Sequence, residues 1–326
     1  VDARHADSMK LRHIIFNSYK SFVPSFYIPS FYIHTILYSP YFAPSFLLVF
    51  ILLFMLSDQT IAFIGAGTIA QSIIGGLLRA ENVKQDQIYA TRRNHFALEE
   101  LKAQFPNLHT TTDNAIAAKA ANVVVLSVKP QNSKEVMEDI RKVITPNTLI
   151  ISILAGITTD TICEALGQNL PVVRAMPNTP ALVDAGATAV SGGKYALPEH
   201  VAIAEAIFNS VGDVERVPEY LMNAVTGLSG SGPAYIYMVI EALTDGGVNQ
   251  GIPRPVALRL ATQTVFGAAK MVIETGKHPA ILRDEVTTPG GTTIAAIADL
   301  ERSGLRTMFI KAVGEATQRA QELAKK

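Results

Sequence analysis

The sequence predicts an α/β protein: a mostly parallel sheet with helices on both faces, followed by an all-helical segment. Three observations carry this prediction. From Gln59 to about Val217, short apolar β-branched runs alternate with helical stretches. Strand signals then stop, and the rest of the chain reads as helix. Each part also holds one glycine-rich element that leads into a helix. Strands that alternate with helices imply a parallel sheet, because each parallel crossover needs a connecting helix.

The elements follow in order. Residues 60–64 are an apolar run suited to a strand buried on both faces. Residues 68–80 read as helix, 87–91 as the second strand, and 96–105 as a helix that Pro106 stops. Residues 122–128 (NVVVLSV) form a strongly apolar strand closed by Pro130, and a helix follows over 132–143. Residues 148–153 (TLIISI) give the next strand and 158–166 the next helix. Short strands over 171–175 and 187–191 and a helix over 200–210 complete this part. Beyond it, helices are predicted over 231–248, 253–275, 280–286, 292–303 and 305–326. Pro253 suits a first helical turn. Several of these helices are apolar on more than one face, as Leu258, Leu260, Val265 and Phe266 show, which implies burial against another subunit.

Composition narrows the function. The chain has 326 residues, room for two domains. Lys+Arg and Asp+Glu are both 28, so no general electrostatic case exists for a nucleic-acid or anionic-membrane partner. Cys163 is the only cysteine, which rules out an internal disulfide or a cysteine-based zinc cluster and suits a reducing, cytoplasmic setting. No metal site is expected. Residues 1–56 differ from the rest: rich in Phe, Tyr, Ser and Pro, and ending in the apolar run FLLVFILLFML at 46–56. That run is shorter than the roughly 20 residues of a membrane helix. The chain does not begin with Met, and Met55 lies just before the first core strand. The segment is therefore expected to be read-through of upstream DNA or a cloning remnant, outside the fold, rather than an anchor. The expected domains are 57–217 and 218–326.

The first glycine-rich element, Gly65-Ala66-Gly67-Thr68-Ile69-Ala70, fits G-x-G-x-x-A between a predicted strand and helix. Gly65 permits the turn, Gly67 lets the backbone approach a pyrophosphate, and Ala70 allows close helix–strand packing. This context predicts a Rossmann-like dinucleotide-binding domain. The second strand ends in Thr91-Arg92-Arg93-Asn94, without the acid that usually binds an NAD ribose. Two guanidinium groups and the Thr91 hydroxyl suit a 2′-phosphate, which favours NADPH over NADH. Lys129 before Pro130 either faces the cofactor or anchors its loop. Asn178, in Met176-Pro177-Asn178-Thr179-Pro180, either bonds a nicotinamide amide or serves a structural turn.

The second element, residues 287–293 (TTPGGTT), places two glycines and four threonines before a helix starting near Thr293. Exposed amides and hydroxyls at a helix start can hold a carboxylate without a basic side chain. A capped turn is an equal reading of the composition. His95, His109, His200 and His278 lie in unrelated contexts and read as surface or packing residues.

The combination resembles the pyrroline-5-carboxylate reductases. The matching stretches are FIGAGTIA at 63–70, Asp113-Asn114, SVKPQ at 127–131, MPNTP at 176–180, VTGLSGSGPAY at 225–235, DGGV at 245–248 and LRDEVTTPGGTTIAAIADLE at 282–301. The resemblance implies a Rossmann domain followed by an all-helical dimerisation domain, in a homodimer often built into larger rings, a decamer of dimers among them. It implies reduction of the cyclic imine of 1-pyrroline-5-carboxylate to L-proline by NADPH, with NADH as the other usable cofactor. By position, Ile64, Gly65, Ala66, Gly67, Thr68, Ile69, Arg92, Arg93, Asn114, Ser127, Val128, Lys129, Pro130, Ile153, Leu154 and Ala155 should contact the cofactor. Glu219, Thr288, Gly291, Thr292 and Thr293 should line the substrate site, with Thr293 near the imine nitrogen as the catalytic residue. The alternatives are another NADP-dependent imine or β-hydroxyacid reductase of the same layout, and a non-catalytic NADPH-binding protein. The β-hydroxyacid enzymes usually carry a lysine on the first long helix after the Rossmann domain, and residues 234–239 (AYIYMV) hold none.

Overall fold

The computed structural model of the protein describes residues 56–324. The expectation for residues 1–55 lies outside them. Leu56, grouped with that segment above, is buried, and its carbonyl accepts the Gln59 N–H at 3.0 Å, so it belongs to the folded body.

The expected α/β architecture is borne out. Eight strands form one sheet in the order β3-β2-β1-β4-β5-β6-β7-β8. They are β1 (Ile61–Ile64), β2 (Ile88–Thr91), β3 (His109–Thr111), β4 (Val123–Leu126), β5 (Leu149–Ser152), β6 (Val172–Met176), β7 (Gly186–Gly192) and β8 (Gly212–Arg216). All neighbours are parallel except β6 and β7. The central strands IAFI, VVVL and LIIS are buried at every position, as strands covered on both faces must be. Each fully buried side chain such as Ile61 or Phe63 contributes about 1.5–3 kcal/mol relative to exposure.

One face carries α3 (Asn114–Ala120), α4 (Ser133–Ile140) and α5 (Thr159–Leu166), whose Ala117, Val136, Ile140 and Ile162 pack on Ala62, Ile64, Val124 and Leu126. α1 (Thr68–Arg79) buries Ala70, Ile73, Ile74 and Leu77. A Cβ at its Gly76 would lie 2.4 Å from Val211 Cγ1, so it packs closely on the turn between α6 (Pro198–Asn209) and β8. α2 (His95–Gln104) lies between β2 and β3.

After β8 the chain is helical. Short α7 (Met222–Val225) runs into a π-helical turn over Thr226–Gly230 and then α8 (Gly232–Asn249). α8 packs on α9 (Arg254–Thr275), with Gly247 against Ala257. α10 (Pro279–Glu285), α11 (Thr292–Arg302) and α12 (Leu305–Ala324) follow. α12 returns to the π turn: a Cβ at Gly227 would stand 2.4 Å from Thr317 Oγ1. The Tyr235 hydroxyl ties the same junction, donating toward the carbonyls of Gly227 at 3.1 Å and Ala312 at 3.4 Å. α8 and α9 leave Met238, Leu260, Phe266 and Ile273 more than half exposed, a surface far too apolar for solvent.

Candidate active site

Strand register builds one edge of the site. Ile64 pairs with Thr91 and with Leu126, and Leu126 pairs with Ser152. The carboxyl ends of β1, β2, β4 and β5 are therefore level, and the loops that leave them share one rim, where open parallel sheets bind ligands. This brings together residues 64–69, Arg92, Arg93, Ser127, Val128, Lys129, Pro130, Ile153, Leu154 and Ala155.

The glycine turn is held from two sides. Gly65 has φ +95°, a conformation glycine adopts without steric cost. A Cβ there would fall 2.5 Å from Val128 Cγ1, so the turn also presses on the end of β4. From β2, Thr91 Oγ1 accepts the Gly65 N–H at 3.1 Å and the Thr91 carbonyl accepts the Ala66 N–H at 2.7 Å. From β4, Ser127 donates its N–H to the Ile64 carbonyl at 2.9 Å and directs its hydroxyl at the carbonyls of Ile64 and Gly65.

The bracing continues behind the turn. Thr91 donates its hydroxyl to Asn114 Oδ1 at 2.7 Å, and Asn114 Nδ2 donates to Asp139 Oδ2 at 3.0 Å. One expectation changes. Thr91 is 1% exposed, so its hydroxyl serves the turn and not a phosphate. The Asn114 amide is oriented by Thr91 and Asp139 and so supports the turn. Asp139 had no signal in the sequence, because a lone acid on a helix face looks like a solvated residue.

α1 begins at Gly67 with no side-chain cap and no acid in its first turn. A Cβ on Gly67 would meet nothing within 4 Å. An anion such as a pyrophosphate therefore fits against these open amides. Arg92 is half-buried and Arg93 exposed just beyond β2. Arg93 Nη1 lies 3.9 Å from Glu135 Oε2 on α4. Lys129 and Pro130 are exposed and start a 3₁₀ turn. Ile153 donates its N–H to the Leu126 carbonyl at 3.1 Å, and Leu154 its N–H to Ser152 Oγ at 3.3 Å. Gly156, at φ +79°, follows them under the end of α12, where a Cβ would lie 3.2 Å from Ala324 Cα.

Asn178 donates Nδ2 to the Ser229 carbonyl at 3.1 Å and accepts the Ala187 N–H at 2.9 Å. Its amide joins the β6–β7 connection to the π turn, the structural one of its two readings. Glu219 accepts the Thr159 N–H at 2.8 Å and the Thr159 hydroxyl at 2.7 Å, and its Oε1 stands 3.7 Å from Arg174 Nη1. Its carboxylate caps α5 and partners a buried arginine. Burial pushes the Arg174 pKa down, and Glu219 opposes that shift.

The threonine loop lies between α10 and α11. Gly290 has φ +68°, and the Gly291 N–H closes the turn on the Thr288 carbonyl at 3.0 Å. Gly291 precedes α11 without a side-chain cap, and the first turn holds no acid. Thr288 and Thr292 are exposed, Thr293 half-buried. Thr287 bonds back to the Arg283 carbonyl at 2.7 Å. The histidines serve local structure: His200 and His278 accept N–H groups at helix starts, and His109 stacks on Tyr89.

A Rossmann-like sheet with an uncapped glycine turn, joined to helices with exposed apolar faces, defines a dinucleotide-binding oxidoreductase that oligomerises through its helical part. Residues 60–156 match the family described as "NADP oxidoreductase coenzyme F420-dependent", and residues 219–323 match "Pyrroline-5-carboxylate reductase dimerisation". A pyrroline-5-carboxylate reductase of Methanosarcina acetivorans is 45% identical over 271 residues, covering 83% of this chain and all of the relative. The solved pyrroline-5-carboxylate reductase of Coxiella burnetii is 41% identical with a TM-score of 0.78, covering 82% of this chain and 99% of its own. That of Plasmodium falciparum, with NADP bound, is 27% identical with a TM-score of 0.74, over 82% and 99%. The chain belongs to the pyrroline-5-carboxylate reductase family.

Proposed function

We propose that this protein reduces 1-pyrroline-5-carboxylate to L-proline, the last step of proline biosynthesis, with NADPH as the preferred cofactor and NADH as the other. The observation that carries the substrate assignment is the TTPGGTT loop, which leaves the first turn of α11 without side-chain cap or acid. Those amides suit the substrate carboxylate. Thr288, Gly291 and Thr292 line its place, and the Thr293 hydroxyl bonds the imine nitrogen. Gly67 lets the backbone approach the pyrophosphate, the amides of Thr68 and Ile69 hold it, and Arg92 and Arg93 hold the 2′-phosphate. Val128, Lys129, Pro130, Ile153, Leu154 and Ala155 line the rest of the cofactor site. When bound, the reduced nicotinamide supplies a hydride. A protonated imine is already electrophilic, so the residues of this chain act mainly by proximity and orientation.

The family match supports a dinucleotide-binding domain over 57–217 and a dimerisation and substrate domain over 218–326. α9 is long and apolar enough to cross a membrane by length and composition, yet it lies inside the dimerisation match and is taken to bury that face against a second subunit. A homodimer, assembled further into rings, and a cytoplasmic setting complete the proposal, with no nucleic-acid or membrane partner. The test is NADPH consumption by the full chain with and without 1-pyrroline-5-carboxylate, with proline identified as product. NADPH binding without substrate-dependent consumption would favour the non-catalytic alternative.

A further inference from the structure

We propose that Glu135 is a specificity-determining residue that holds Arg93 and opposes a 2′-phosphate on the adenosine ribose, tempering the preference for NADPH over NADH. The proposal rests on the assignment of Arg92 and Arg93 to that phosphate. Glu135 and Asp139 stand four residues apart on α4 and so share one helix face. Asp139 bonds Asn114, which bonds Thr91 at the end of β2, so this face looks toward the strand end that carries the arginines. Glu135 lies 3.9 Å from Arg93, with side-chain exposures of 67% and 77%. An ion pair this exposed is weak and readily exchanged.

A 2′-phosphate taking Arg93 would bring between one and two negative charges beside the Glu135 carboxylate, since a phosphomonoester carries about −1.5 to −2 at neutral pH. It would have to displace one anion and sit near it. An unphosphorylated ribose offers hydroxyls instead, which a carboxylate accepts. The two cofactors therefore meet Glu135 with opposite sign. The end of β2 lacks an acid, and α4 supplies one from the neighbouring crossover.

The experiment is calorimetric titration of the full chain at fixed ionic strength with adenosine 2′,5′-bisphosphate and with 5′-AMP, for the parent protein, E135Q and R93A. E135Q is expected to tighten the bisphosphate by about 3–10-fold while 5′-AMP changes by less than about twofold. An equal change for both probes, or no change, overturns the role of Glu135. R93A separates the two levels of argument. If R93A leaves the ratio of the two affinities unchanged, the phosphate assignment itself fails and the proposal goes with it. If R93A lowers that ratio and E135Q does not raise it, only the role of Glu135 fails.

Discussion

Arg174, on β6 with its side chain 5% exposed, is paired with Glu219, the residue at which the dimerisation match begins. The same carboxylate takes the Thr159 N–H and hydroxyl at the start of α5. One acid thus links the sheet, a crossover helix and the entry to the helical segment. Removing one partner of a buried pair leaves the other charge uncompensated, which costs more than the pair contributes. Glu219→Ala is expected to lower unfolding free energy by about 2–4 kcal/mol, discounted because Glu219 is partly exposed. The measurement is a urea midpoint at fixed protein concentration, since assembly shifts apparent stability. A loss within about 0.5 kcal/mol, the range of ordinary surface substitutions, would sink the structural role.

The hydroxyl of Thr91 is the joint between the glycine turn and α4. Thr91→Val keeps the shape but strands the Gly65 N–H and the Asn114 Oδ1, at about 1–3 kcal/mol for buried groups left unpaired. The expected result is lower stability and a several-fold weaker cofactor, with kcat at saturation little changed. Thr91→Ser should restore most of the loss. Failure of serine to rescue would place the effect in packing and not in the hydrogen bond.

Much of this was legible in the sequence, for physical reasons. A buried parallel strand must be a continuous apolar run, and IAFI, VVVL and LIIS are. β3 was missed because its three residues are polar and none is buried, and β8 because three of its five residues are exposed. α3 was missed because NAIAAKA carries little periodic contrast, although Asp113, which caps it by accepting the N–H groups of Ala115 and Ile116, was a usable signal. The site divided differently. Backbone features, the turn at Gly65 and the open start of α11, could be read from glycine spacing. The protein partners of Asn114, Asn178 and Glu219 could not, since partners distant in sequence show only once the fold places them.

Arg92 is half-buried at the end of β2 and is assigned to the 2′-phosphate. A charge-assisted hydrogen bond is worth about 1.5–3 kcal/mol, so Arg92→Ala should weaken NADPH by about 10–100-fold. NADH lacks that group and should change far less. An unchanged NADPH-to-NADH ratio of kcat/KM would refute the assignment.

Thr293 stands in the first turn of α11, half-buried, beside the amides assigned to the substrate carboxylate. If its hydroxyl bonds the imine nitrogen, the bond orients an electrophile that needs no activation by a strong acid. The loss on Thr293→Ala should therefore be that of one hydrogen bond, about 1–2 kcal/mol, or about 5–30-fold in kcat/KM with 1-pyrroline-5-carboxylate. Cofactor binding should change far less, because the phosphate contacts are assigned to the glycine turn and the end of β2. Thr293→Ser keeps the hydroxyl and should recover most of the activity, whereas Thr293→Val keeps the shape and should not. Near-parent activity in both the Ala and Val variants would remove Thr293 from the reaction and leave the α11 amides as the only substrate contacts proposed for this turn.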